Sequence, residues 1–137
     1  MKENSQKAVD EFFSHADEIG DDLLEDFKEI MGQVPFIFKV LRQRPESFAP
    51  TALAEYMTLR PENLDPKTAE LITISAAVAA DADNCLNVHI KAAMENGATK
   101  EEILDTILIA AMIGKTKLLA SSLRVFKTHF PDEDIPK

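Results

Sequence analysis

Two stretches of this 137-residue chain lack a polar face. Residues 70–80 read ELITISAAVAA. Residues 103–113 read ILDTILIAAMI, with only Asp105 and Thr106 suited to water. A helix that is apolar all round must be covered all round. A chain of this length has difficulty covering two such helices by itself, so the pattern predicts a subunit interface. The rival arrangement is a central helix wrapped by its own chain.

The rest of the sequence fits an all-α protein of about eight helices. Only four glycines occur, and strand-like alternation is almost absent. A first helix is expected over 5–19, with Val9, Phe12, Phe13 and Ala16 on one stripe, interrupted by Gly20. A second runs over 22–31 and closes at Gly32. Pro35 suits the first turn of a third, which Pro45 stops. A fourth ends near 60 and starts at either Pro45 or Pro50. Asp65 and Pro66 open a fifth as N-cap and first helical residue. A sixth covers 84–96, with Gly97 in the left-handed stop position. Thr99 and Glu102 form a capping box that opens a seventh, reaching 113, where Gly114 breaks the chain. An eighth covers 116–130, and the tail DEDIPK is expected to be solvated. The whole of 1–137 reads as one domain, its core in 64–130 and a more charged helical portion in 1–61.

Charge narrows the function. Fifteen Lys and Arg against 24 Asp and Glu give −9, which argues against nucleic acid and against anionic membranes. No apolar run reaches the roughly 18 residues of a membrane span. The first residues lack the apolar core of a signal peptide. A single cysteine cannot form an internal disulfide. These features point to the cytoplasm.

That cysteine, Cys85, stands four residues before His89. On a helix the two share a face, and an imidazole there can take or return the thiol proton. Cys85 falls in the first turn, where unsatisfied N–H groups favour a thiolate; Asp81 and Asp83 oppose this. The polar turn before it keeps the site open. Glu70 places a carboxylate in the apolar run of the preceding helix. Singly, each residue has an ordinary structural explanation: a small buried thiol, a satisfied histidine, a glutamate near a helix start. A metal site from Cys85, His89 and a carboxylate is disfavoured because His15 and His129 lie in remote segments. No cofactor is implied. In a plain hairpin Glu70 lies opposite Asn96 and His89 opposite Ala77, an offset of roughly 10 Å. Contact between them then needs a steep crossing, a water chain or a neighbouring subunit.

The segments LDPKTAELI (64–72), CLNVH (85–89) and NGATKEEI (96–103) resemble the carboxymuconolactone decarboxylase family, which includes the AhpD-like alkylhydroperoxidase proteins. The likeness covers about 64–123 well and the N-terminal half loosely. The redox branch carries a glutamate and then C-x-x-C-x-x-x-H. In register, the glutamate falls on Glu70, the second cysteine on Cys85 and the histidine on His89. The first cysteine falls on Ala82, so the chain has no resolving cysteine of its own. The resemblance implies an all-helical fold assembled as trimers or hexamers.

Three functions follow as expectations. One is a thiol-dependent peroxidase or oxidoreductase, an antioxidant protein with Cys85 as nucleophile, His89 as base and Glu70 as its orienter. It would act on a small molecule and use an external thiol reductant. The second is a decarboxylase-like enzyme on a lactone acid, with His89 as acid and base. The third is a non-catalytic oligomeric binding protein. Iodoacetamide labelling of Cys85 against pH separates the first from the others.

Overall fold

The computed structural model describes residues 1–131, where the chain forms seven α-helices and no strand. They are α1 (Glu3–Ser14), α2 (Ala16–Met31), α3 (Phe36–Leu41), α4 (Pro45–Thr58), α5 (Pro66–Ala79), α6 (Asp83–Glu95) and α7 (Lys100–His129). The all-α expectation holds with seven helices in place of eight. The tail DEDIPK, 132–137, lies outside the described residues.

Local signals set most helix ends. Asp65 accepts a hydrogen bond from the Thr68 backbone N–H at 3.0 Å, with Pro66 first in α5. The Thr99 hydroxyl accepts from the Glu102 N–H at 3.1 Å, and the Glu102 carboxylate accepts from the Thr99 N–H at 2.8 Å. Gly97 adopts φ 83° and ends α6. The fourth helix starts at Pro45 and carries Pro50 inside. Pro50 has no N–H to give the Glu46 carbonyl, and the helix continues through it with that one bond missing.

Two glycine stops fail, for different reasons. Gly20 lies within α2, and the break falls at His15 instead. The buried stripe of α2 runs Ala16, Gly20, Leu23, Phe27, Met31, so Gly20 belongs to the packing face. A Cβ there would stand 3.2 Å from the Phe48 ring, which is why the position is small. Gly114 lies inside α7, which continues through it over 30 residues. One interior glycine costs about 1 kcal/mol, too little to end a long helix.

The core has two parts. Leu23, Phe27, Met31, Phe38, Phe48 and Ala52 form one between α2, α3 and α4, with the Phe27 and Phe38 ring centroids 4.5 Å apart. The N-terminal helices, expected beside the core, thus hold most of the large side chains that are fully buried. Arg42 ties the end of α3 to α2 through Asp17 and Asp21, at 2.9 and 2.7 Å. Ile74, Ala93 and Ile103 form the second part between α5, α6 and α7. Val88 of α6 packs against the first cluster, so α6 touches both.

The two all-apolar stretches part company here. α5 packs against α6 and α7 and buries Ala69, Glu70, Ile74 and Ala77. In α7 only Ile103 and Ala110 are buried, and every residue from 111 to 131 is exposed.

Candidate functional site

The turn between α5 and α6 fixes where the site begins. The Ala82 N–H donates to the Ala77 carbonyl at 3.0 Å, and the Asp81 N–H to that of Val78 at 3.2 Å. This doubly bonded stop needs a left-handed residue between, and Asp81 supplies it at φ 55°. Aspartate tolerates that backbone better than most residues other than glycine. α6 then starts at Asp83, which makes Cys85 its third residue. The N-cap is Ala82, the position of the absent cysteine, and no side chain caps the helix. The first-turn N–H groups therefore have no side-chain partner at this helix start. Cys85 is exposed, and no hydrogen bond joins it to His89.

His89 lies one turn further along and is buried. Its Nδ1 stands 2.8 Å from Glu70 Oε2, and both side chains are nearly sealed from solvent. The stagger of roughly 10 Å expected for a plain hairpin does not keep them apart: contact is direct and within one chain, with neither a water nor a second subunit between. An ionised Glu70 accepts the Nδ1–H, which leaves the Nε2 lone pair to act as a base. Nε2 bonds to no described residue, yet no buried side-chain nitrogen or oxygen among them lacks a partner. Nε2 therefore keeps access to solvent. The structure thus brings Glu70 and His89 together, and sets Cys85 on the same helix without joining it to them.

Glu70 also borders a pocket of about 510 Å³ between the ends of α2, α4 and α6 and the start of α5. Glu29, Leu59, Arg60, Glu95 and Asn96 help line it; Cys85 and His89 do not. Arg60 stacks on the Tyr56 ring at 4.3 Å and donates to its hydroxyl at 2.7 Å. Glu70 is thus the link between this pocket and the imidazole.

One residue escaped the sequence reading. Glu55 is half-buried on α4, where burial pushes its carboxyl above the ordinary glutamate range and the positive charge of His89 pulls it back. The signal that marked Glu70 was present here too. Phe48, Ala52, Glu55 and Leu59 follow helical spacing, so Glu55 is a carboxylate on an apolar stripe. Among the described residues no three His, Cys, Asp or Glu side chains gather as a metal site, and no helix is long and apolar enough to cross a membrane.

The sequence model of the Carboxymuconolactone decarboxylase family matches residues 46–128. A Paracoccus denitrificans protein described as an uncharacterized 15.0 kDa protein in the nqo9-nqo10 intergenic region is 32% identical over 97 residues. That match covers 65% of this chain and 72% of the relative. No solved structure matches.

Proposed function

The chain belongs to the carboxymuconolactone decarboxylase family, and from its site we propose a thiol-dependent oxidoreductase that reduces a peroxide through Cys85. The observation that carries this is the 2.8 Å bond from Glu70 to His89, one helical turn beyond an exposed first-turn thiol. His89 Nε2 takes the thiol proton, by way of solvent where the two do not touch. The thiolate attacks one peroxide oxygen; the S–O bond forms and the O–O bond breaks. The departing alkoxide takes up the proton, and Cys85 is left as a sulfenic acid. Without a cysteine at 82, an external thiol condenses with it to a mixed disulfide and water. A second thiol then releases Cys85. Glu70 fixes the tautomer of His89 and offsets the imidazolium charge.

A second chemistry is favoured by one observation: the Glu70–His89 pair is complete without Cys85. In that case His89 is the acid and base of a decarboxylase-like reaction on a lactone acid, and the thiol is a bystander. We also propose that the exposed apolar side of α7 is covered by further copies in a trimer or hexamer. A lone exposed thiol suits a reducing cytoplasm.

Peroxide reduction is measured with added small thiol for the wild type, Cys85→Ser, His89→Ala and Ala82→Cys. Cys85→Ser is expected to abolish turnover, and His89→Ala to lower it by roughly 10²-fold or more. Ala82→Cys is expected to oxidise within one chain and to depend less on added thiol. Peroxide turnover that survives Cys85→Ser sinks the thiol chemistry, and lactone turnover that survives it establishes the second reading.

A further inference from the structure

The pocket beside Glu70 holds an acceptor that neither chemistry above uses. The Glu70 side chain is only 6% exposed. Its Oε2 is taken by His89 Nδ1, and Oε1 has no hydrogen-bond partner among the described residues. No fully buried side-chain oxygen among them lacks a partner, so Oε1 meets open space. The space that Glu70 borders is this pocket, which Cys85 and His89 do not line.

The surroundings of that oxygen are negative. Glu29 of α2 and Glu95 of α6 line the same pocket, and neither has an ion-pair partner among the described residues. Glu95 Oε1 lies 3.4 Å from the place a Cβ would take on Gly32, so its carboxylate reaches the end of α2. The helices α2, α4 and α6 all end beside the pocket. A helix C-terminus carries partial negative charge, which adds to that of the carboxylates. The positive end of α5 is met by Asp65, which accepts the Thr68 N–H. Arg60, the cation of the lining, is held on the Tyr56 ring and hydroxyl. Ile30, Leu59 and Leu64 supply apolar wall. A volume of about 510 Å³ suits a small molecule.

We propose that this pocket binds a small organic amine. The ammonium donates to Glu70 Oε1, Glu29 and Glu95 add attraction, and the apolar body lies on Ile30, Leu59 and Leu64. An ammonium supplies both things the site lacks, a donor for a recessed acceptor and a charge opposite to three carboxylates. A charge-assisted bond of this kind is stronger than a neutral one. An alcohol offers the donor without the charge, and a carboxylate offers neither. Because Glu70 also holds Nδ1, the His89 ring reports on occupation. The proposal holds whichever reaction His89 performs.

Benzylamine, benzyl alcohol and benzoate are titrated into full-length ¹⁵N-labelled protein at neutral pH, with backbone amides and histidine rings followed by NMR. Benzylamine is expected to give saturable shifts at the Leu59, Glu70 and Asn96 amides and at the His89 ring. The exposed His15 and His129 do not move. Benzyl alcohol and benzoate should bind about tenfold more weakly or worse. Glu70→Gln should weaken benzylamine by about tenfold or more. Glu29→Gln combined with Glu95→Gln, both on the exposed rim, should weaken it by about twofold to fivefold. Absence of saturable shifts with benzylamine overturns the proposal, as does equal binding of benzyl alcohol or a preference for benzoate. Unchanged affinity in Glu70→Gln also overturns it. If that variant does not fold, the paired rim variant decides, and unchanged affinity there overturns the proposal. Amine binding by a protein that reduces no peroxide sinks the thiol chemistry and leaves this pocket standing.

Discussion

α5 buries one stripe along its length against its own chain, whereas α7 is held along little more than its first third. α6 and α7 both lie against α5, and Ile74 at its centre is fully buried. α7 buries Ile103 and Ala110, then runs on with Ile109 66% and Ile113 68% exposed. Both helices are apolar around most of their circumference. Such a composition says that a helix is covered without saying by what. α5 packs against α6 and α7, which follow it in the chain, and buries Ala69, Glu70, Ile74 and Ala77 while Ile72 stays 53% exposed. α7 comes last, and no later element is placed on its outer side among the described residues. The large apolar side chains left for the predicted interface thus lie mostly on α7, with Ile72 of α5 beside them.

Ile74→Ala tests the enclosed side and should have the largest effect, a loss of about 2–5 kcal/mol. Ile109→Ala, in dilute protein, should change stability by no more than about 0.5 kcal/mol. Urea unfolding of the two variants checks this, and equal losses would erase the contrast.

Paired Ile109→Glu and Ile113→Glu should dissociate the proposed oligomer without unfolding the subunit. Each large aliphatic side chain removed from an interface forfeits roughly 1.5–3 kcal/mol. Light scattering decides; a dilute wild type at the 15.2 kDa of one chain would show the α7 face to be unpartnered. Ile107 packs inside the subunit against the second core cluster, so Ile107→Glu should unfold the protein rather than part its copies.

The glycines sharpen the same contrast at lower energy. A Cβ at Gly114 meets nothing within 4 Å, so Gly114→Ala should stabilise dilute protein by about 0.8–1 kcal/mol through helix propensity. At Gly20 the gain is lost to crowding against the fully buried Phe48 ring and Arg42, and Gly20→Ala should lower Tm.

The smallest effect concerns the ion pair joining the starts of the two helices, Lys67 to Glu102 at 2.8 Å. The Lys67 ammonium, and after it the Thr99 N–H, holds Glu102 below the ordinary glutamate range. A depressed folded-state value gives stabilisation that is full above the unfolded-state value. It is lost as pH falls through the folded one. Lys67→Met should therefore weaken the protein slightly at neutral pH and leave it unchanged in strong acid, as compared by urea melts at the two pH values.

Much of this molecule was written locally. The caps at Asp65 and Thr99, the stop at Gly97 and the shared face of Cys85 and His89 depend on residues within five positions of each other. Backbone geometry alone relates such neighbours, so sequence determines them. Gly20 shows the limit: its place in α2 depends on Phe48, 28 residues later, whose ring occupies the space of a side chain. The Glu70–His89 bond and the packing of α5, far more than of α7, against neighbouring helices also join residues from separate helices. Their distances are set by how whole helices settle against two cores, and only the tertiary structure decides them.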